Sequence, residues 1–339
     1  MKNGQAWQQG AKSLWKYCTT KHCKEMLLSF RLLGDRGWPE EKVLACLYAL
    51  GNHAEGHYEK LRIPKKHGGT RLLLAPDPLL KQVQKNILHH VLEGFAPAGC
   101  ATAYHKGSSA IANAKLHEGK PLLLKLDIED FFGSITFPMV LRYGFPARYF
   151  PPPVGALLAS LCCYLDCLPQ GAPTSPALSN LVMGPFDRHM AEWCQERGIF
   201  YTRYCDDMAF SGNFDAGEVK RKAYGFLRAM GLEPNRKKER VLPKGARQTV
   251  TGLVVNEKAQ PTKDYRRKLR QELYYCQRFG TEGHLKRIGS QASLPDGGAG
   301  TRCYLQSLLG KVNYVLETRP DDLWLWQARE WLTGCLAKE

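Results

Sequence analysis

Hydrophobic positions along this chain change period more than once. Leu27, Leu28 and Leu32, then Val43, Leu44, Leu47 and Leu50, fall near helical spacing, so residues 11–60 read as helices interrupted between Gly34 and Pro39. Leu61-Arg62-Ile63-Pro64 and Arg71-Leu72-Leu73-Leu74-Ala75-Pro76 flank His67-Gly68-Gly69 and predict a hairpin with a basic turn. From Asp77 to Leu92 the spacing is helical again, with Leu80, Val83, Ile87, Leu88 and Val91 facing inward. Leu122-Leu123-Leu124-Lys125-Leu126-Asp127-Ile128 is a short apolar run ending in acid, the pattern of a buried strand that carries a carboxylate at its C-terminal end. Residues 176–197 predict a helix with proline in its first turn. Residues 200–204 and 208–211 predict two strands around the turn Cys205-Asp206-Asp207. A helix over 218–230 stops near Gly231, and 248–255 predicts a strand with a turn near Gly252. From Thr262 onward the pattern is helical, with a glycine-rich interruption over 295–300. Strands and helices alternate in the middle and helices dominate both ends, which makes the expected class α+β.

Composition adds a partner. The 339 residues are enough for a sizeable core and suggest about two domains. Lys and Arg number 48 against 32 Asp and Glu, a net charge of +16. Of that excess, +12 falls between Glu218 and Arg287, where 19 basic residues meet 7 acidic ones. A solvated basic face is one account of this stretch; a groove tracking a nucleic-acid backbone explains the clustering better. An acidic membrane surface is the weaker alternative. No run of 18 apolar residues free of charge occurs, and the N-terminus lacks the apolar core of a signal peptide, so the expected location is the cytoplasm with no membrane partner. Twelve cysteines at irregular spacing read as reduced thiols, with Cys162, Cys163 and Cys167 in the core. Cys18, His22 and Cys23 have zinc-ligand chemistry, but a fourth ligand is not evident.

The adjacent acids change the picture further. Two like charges in one tight turn are unfavourable unless a cation or strong donors offset them. Hard oxygen ligands at Asp206 and Asp207, with Asp127 ending a separate strand, suit Mg2+. Three such aspartates can hold two metal ions, one activating an attacking hydroxyl and the other stabilising leaving pyrophosphate. Alone, an Asp-Asp pair is more often a solvated turn.

The surroundings of these acids resemble a reverse transcriptase over most of the chain. Tyr204-Cys205-Asp206-Asp207 resembles the YxDD turn of the palm, and Leu126-Asp127-Ile128-Glu129-Asp130-Phe131-Phe132 its first acidic motif. Leu168-Pro169-Gln170-Gly171-Ala172-Pro173-Thr174-Ser175-Pro176 is similar to the loop that contacts template and nucleotide. Gly231-Leu232, Asn235 and Lys238 match the next palm motif. Two further matches resemble retron enzymes: Asn113-Ala114-Lys115-Leu116-His117 (NAxxH) and Val250-Thr251-Gly252 (VTG). Cys205 departs from the alanine usual there.

The resemblance implies a right-hand polymerase with N-terminal helices and fingers over 1–120, a palm with an antiparallel sheet over 121–257, and a helical thumb over 258–339. Asp127, Asp206 and Asp207 are expected to be catalytic metal ligands, with the backbone carbonyl of Ile128 as a further ligand and two Mg2+ ions, Mn2+ being a substitute. Phe132 falls where the family's steric gate against a ribose 2′-OH lies; otherwise it is a core aromatic with Phe131. Gln170 and Gly171 are expected under the incoming nucleotide. Arg71 is the preferred triphosphate contact, with Lys65 and Lys66 beside it or merely solvated. Lys238 is either an acid for leaving pyrophosphate or a phosphate contact. Asn113 and His117, four apart on an expected helix face, either pair structurally or serve a retron-specific role in holding RNA or the fold. Tyr204 and Val250-Thr251-Gly252 are candidate primer contacts, the latter otherwise a plain hairpin. Arg266, Arg267, Lys268 and Arg270 would present a basic thumb face to an A-form duplex.

The function so implied is that of a retron reverse transcriptase. It would copy part of its structured noncoding RNA (msr-msd) into msDNA, a branched RNA–DNA molecule, from a guanosine 2′-OH. Its implied partners are that RNA, its cDNA product, dNTPs and an effector or toxin encoded nearby, with antiphage defence as the biology. Other bacterial reverse transcriptases, of group II intron or diversity-generating type, are the first rivals. A polymerase-like RNA-binding subunit without catalysis is the second.

Overall fold

Several helices begin where a side chain caps them. In the computed structural model, which describes residues 14–64, 68–287 and 297–338, Thr19 accepts from the His22 N–H in a capping box and opens α1 (Thr20–Ser29). Gly34 and Gly37 then take positive φ, and α2 (Glu40–Asn52) starts after Pro39 without a side-chain cap. Leu27, Leu32, Leu44, Leu47 and Leu50 are buried, as their spacing predicts. β1 (Tyr58–Pro64) and β2 (Thr70–Pro76) form the expected antiparallel hairpin. Its base is closed by Asp77, whose carboxylate caps α3 (Pro78–Ile87) through the Leu80 N–H at 2.8 Å and meets His57 Nδ1 at 2.6 Å. The helix continues as a π turn over Leu88–Leu92.

The chain forms two units. One comprises Met1–Ser108 and Leu124–Val241; the other comprises Ser109–Leu123 and Leu242–Glu339. The second begins with α4 (Ala110–Lys115), capped by Ser109. The sheet that carries the acids has the order β4-β5-β3-β6, made of β3 (Leu122–Asp127), β4 (Phe200–Tyr204), β5 (Asp207–Gly212) and β6 (Arg240–Pro243). β3 is an interior strand, which explains its near-continuous leucines. Short helices α5 (Phe131–Ser134) and α6 (Phe137–Tyr143) follow it, then α7 (Pro152–Cys162), the long α8 (Ser175–Gln195) and α9 (Ala216–Ala229). A single core joins these elements to α1–α3, with Leu158, Val182, Phe186, Met208 and Phe210 fully buried.

The second unit adds a small sheet, β7 (Thr249–Val250), β8 (Leu253–Val254) and β9 (Gln260–Pro261). The helices α10 (Lys263–Phe279), α11 (Thr281–Arg287), α12 (Gly297–Thr318) and α13 (Leu323–Lys338) complete it. Its core is Leu269, Leu273, Leu308, Val312, Val315 and Leu332.

Two expectations are corrected. Residues 248–255 form two short strands around a turn rather than one strand. The glycine-rich run does not interrupt the helices through Gly300; α12 already starts at Gly297, because burial of Leu305, Leu308 and Val312 outweighs weak local propensity. Residues 295 and 296 lie outside the described residues. All twelve cysteines are free thiols; Cys162 and Cys163 are buried, while Cys167 is half-buried.

Candidate active site

The two adjacent acids sit where a hairpin reverses. In the β4–β5 register Tyr204 faces Asp207, leaving Cys205 and Asp206 as a two-residue turn. Cys205 has φ +61°, a left-handed conformation that costs a non-glycine residue about 1–3 kcal/mol unless its surroundings hold it. They do: the Cys205 carbonyl accepts from Arg203 Nη1 at 2.8 Å, and its Sγ accepts from the Tyr104 hydroxyl at 2.9 Å. Burial, and then the charge of Asp206, pushes the Cys205 thiol up to about 12.

β3 lies beside β5 and ends in Asp127, so the sheet brings the third acid to the hairpin. Asp127 is only 3% exposed, and its backbone carbonyl accepts from the Asn235 N–H at 2.8 Å. Its Oδ2 accepts from Lys238 Nζ at 2.8 Å, while its buried Oδ1 has no hydrogen-bond partner. Burial raises the Asp127 pKa to about 6; Asp206 and Asp207 add to the rise and Lys238 opposes it. Asp207 is also raised, by burial first, with Lys125 as the leading opposing charge. Ile128 is buried and bridges to Pro234.

This donor set fits a divalent cation. Three hard carboxylates crowd one sheet end, and one buried oxygen lacks any partner. Among the described residues no three His, Cys, Asp or Glu side chains are already drawn together to hold a metal ion; Lys238 and Lys125 balance the acids instead. The same holds for Cys18, His22 and Cys23. The two sulfurs are 3.7 Å apart, but the His22 ring accepts from the Thr19 N–H to cap α1.

Residues expected near a nucleotide share this unit. Phe131 is buried and Phe132 half-buried, their rings 5.4 Å apart, which separates a core aromatic from an accessible one. Gln170 accepts through its backbone carbonyl from the Leu74 N–H at 2.8 Å. A Cβ on Gly171 (φ +123°) would lie 2.9 Å from the Leu74 carbonyl oxygen. The close approach that requires glycine is therefore to β2. Arg71 is exposed on β2 opposite Ile63. Lys65 and Lys66 lie outside the described residues.

The second unit holds the two remaining motifs together. Asn113 and His117 are 2% and 0% exposed, a placement suited to holding the fold. They do not share one helix, since α4 ends at Lys115 and His117 sits in the turn beyond it. Burial, reinforced by Lys120, lowers the His117 pKa to about 4. Thr251 and Gly252 both have positive φ, the signature of a tight β7–β8 hairpin turn. Thr251 is β-branched and is pinned there by its Oγ1, which donates to the Ala110 carbonyl at 2.7 Å. Val250 is buried. On α10, Arg267 and Lys268 are exposed and Arg266 is half-buried. Arg270 pairs with Asp322 at 3.0 Å and lies over the Trp324 ring, so the four cations do not form one free face.

Motif spacing missed a buried network beneath the turn. Arg203 and Asp187 are both fully buried and meet at 2.6 Å, with Asn180 Oδ1 and the Tyr201 hydroxyl completing the set. Burial opposes the Arg203 charge, but Asp187 more than offsets it and raises its pKa. The available signal was a charged residue inside an otherwise apolar strand pattern, which demands a buried partner.

Residues 63–255, more than half of the chain, match the family described as Reverse transcriptase (RNA-dependent DNA polymerase). The Retron Mx65 reverse transcriptase of Myxococcus xanthus is 35% identical over 244 residues, covering 64% of this chain and 56% of that one. The Retron Ec86 reverse transcriptase of Escherichia coli is 31% identical over 208 residues, covering 60% of this chain and 65% of that one. The chain thus spans 56% and 65% of the lengths of these two curated relatives. Among solved structures, telomerase from Candida albicans in complex with a TWJ fragment of telomeric RNA aligns with TM-score 0.44 and 10% identity, covering 83% of this chain and 63% of that one. The chain belongs to the reverse transcriptase (RNA-dependent DNA polymerase) family, with its right-hand polymerase fold, and its sequence is similar to those of these retron enzymes.

Proposed function

We propose that this protein is an RNA-directed DNA polymerase that copies part of a cognate structured noncoding RNA into msDNA. Priming would come from a guanosine 2′-OH and give a branched RNA–DNA product. The observation that carries the polymerase reading is the meeting of Asp127 with the Asp206-Asp207 turn on adjacent strands, one buried carboxylate oxygen left unpartnered. Asp127, Asp206 and Asp207 would hold Mg2+ or Mn2+, with the Ile128 carbonyl as a further donor. Bound there, divalent cations would activate the attacking hydroxyl and neutralise charge on the phosphates.

The chain's own groups do the rest. Lys238 keeps a cation beside Asp127, ready to contact or protonate leaving pyrophosphate. Phe132, accessible beside buried Phe131, is suited to exclude a ribose 2′-OH. Gln170 would contact the incoming nucleotide with its side chain while its backbone is tied to β2. Arg71 on the hairpin, and with it Lys65, would meet the triphosphate. Tyr204, the Val250-Thr251-Gly252 turn and the α10 cations Arg266, Arg267, Lys268 and Arg270 are proposed to meet primer and duplex. We retain fingers, palm and thumb over 1–120, 121–257 and 258–339 as the functional division. The +12 stretch from Glu218 to Arg287 supports a polyanionic duplex as the ligand. No helix among the described residues is long and apolar enough to cross a membrane. The cytoplasm is the proposed location, and an effector encoded nearby with antiphage defence is the proposed biology.

The test is Asp206→Asn with Asp207→Asn in the full chain. dNTP incorporation should be abolished while RNA binding is largely kept; a variant that still extends a primer overturns the metal-ligand assignment. Sequencing cDNA bound to the purified protein separates the readings within the family. A linear product without a 2′-branch would favour an intron-like or diversity-generating enzyme, and no product from the unmodified protein would favour a non-catalytic RNA-binding subunit.

A further inference from the structure

The catalytic turn is held from beneath by a network that no motif of the family resemblance includes. Arg203, on β4, is fully buried. Its Nε donates to Asp187 Oδ1 at 2.9 Å, and its Nη2 donates to Asp187 Oδ2 at 2.6 Å and Asn180 Oδ1 at 3.1 Å. One nitrogen is left over, and it reaches forward: Nη1 donates to the Cys205 carbonyl at 2.8 Å. Asp187 and Asn180 are seven apart on α8 and so share a face. Tyr201, two residues before Arg203 on the same side of β4, donates its hydroxyl to Asp187 Oδ1 at 2.9 Å.

A second set of contacts comes from residues 100–104. Cys100 and Thr102 exchange backbone hydrogen bonds with Arg203 at 2.8 Å each, and Asn180 Nδ2 donates to the Ala103 carbonyl at 2.8 Å. This segment ends in Tyr104, itself at φ +66°, whose hydroxyl donates to Cys205 Sγ. The left-handed residue of the turn is thus gripped twice, by its carbonyl and by its side chain.

Stability alone does not explain such a pair. A buried ion pair is often no more stabilising than apolar residues of the same volume, because desolvation consumes the attraction. What an apolar pair cannot supply is the fourth guanidinium donor, aimed at a backbone carbonyl next to Asp206. A fixed fork does this where a lysine ammonium, a single point, cannot serve both Asp187 and the carbonyl.

We propose that Arg203, oriented by Asp187 and Asn180, is a positioning residue that locks the Cys205 turn and thereby sets where Asp206 and Asp207 present their carboxylates, with Tyr104 as its outer counterpart. The inference rests on the polymerase reading of the site. It predicts that the clamp governs metal affinity and turnover more than substrate binding, since it touches neither nucleotide nor template.

The test uses the full chain carrying Arg203→Met with Asp187→Leu, which removes both buried charges together and leaves neither unpaired. Three quantities are compared with the unmodified protein: thermal melting, Mn2+ binding read by electron paramagnetic resonance, and steady-state primer extension. Melting should stay close to wild type, the Mn2+ dissociation constant should rise at least 5-fold, kcat should fall at least 30-fold, and the dNTP KM should change less than 3-fold. A folded double variant with wild-type kcat and Mn2+ affinity overturns the clamp. Should the double variant melt below the assay temperature, Arg203→Lys decides. It keeps the charge beside Asp187 but loses the reach, so kcat should still fall at least 10-fold, and a wild-type kcat overturns the proposal. An unmodified protein that fails to extend any primer would instead strike at the polymerase reading, leaving the two failures distinct.

Discussion

Lys238 Nζ lies 2.8 Å from Asp127 Oδ2, with the lysine side chain 59% exposed and the aspartate side chain 4% exposed. One partner is thus fixed by the fold and the other is free to swing. Lys238 has its pKa raised: burial works against its charge, but Asp127, Asp206 and Asp207 together outweigh it. A cation that stays protonated at one edge of the acids can give a proton to leaving pyrophosphate, and arginine, which does not deprotonate in proteins, cannot. Lys238→Gln should lower kcat of primer extension about 10²-fold, and Lys238→Arg should recover less than about a tenth of the loss. Full recovery by arginine in steady-state extension would assign the side chain to phosphate contact alone.

Gly171 is required by its neighbour strand. Its φ of +123° and the 2.9 Å separation between a built Cβ and the Leu74 oxygen both oppose a side chain. Gly171→Ala should destabilise the protein by about 2 kcal/mol, measured as a shift in urea midpoint. Gln170→Ala leaves the backbone bond from Leu74 intact and should change stability by less than about 0.5 kcal/mol. If the Gln170 side chain contacts nucleotide, its removal should raise the dNTP KM all the same.

Thr251 combines a β-branched side chain with φ +46°, and its hydrogen bond to the Ala110 carbonyl joins the VTG turn to the start of the NAxxH helix. Thr251→Val keeps the shape and strain but loses the bond, and should cost about 1 kcal/mol in chemical denaturation. Thr251→Gly loses the same bond yet relieves the strain, so its loss should be smaller. Equal losses would mean that strain at this position is negligible.

Much of this site was legible in the sequence because its chemistry is local. Leu122–Asp127 announced a buried strand ending in acid, and Tyr204–Asp207 a hairpin turn; the sheet order then put the two side by side. Arg203, Asp187 and Asn180 were not legible. Their contacts span 16 and 23 residues of chain and two kinds of element, and neither period marks which helix face meets which strand. Gly171 was legible as a close approach but not as an approach to Leu74, almost 100 residues earlier. The spacing of Asn113 and His117 suggested one helix face, yet the helix ends between them, because Leu116 and His117 close it with tighter turns onto Asn113 and Ala114.

His117 gives the clearest pH signature. It is fully buried, and its pKa falls to about 4 through burial first and Lys120 second. In the unfolded chain its pKa returns to about 6.5. Below that value the unfolded state binds a proton that the folded state refuses, so the contribution is present above about pH 6.5 and is lost as pH falls towards 4. Between pH 7 and pH 5 this one group should remove about 2 kcal/mol of stability. Asp127, raised to about 6, titrates over the same range, so the informative quantity is the difference from His117→Gln, which cannot charge. The unmodified protein should lose about 2 kcal/mol more than the variant between these two pH values in urea titrations. Parallel losses in the two proteins would mean that the histidine is reached by water and protonates in place.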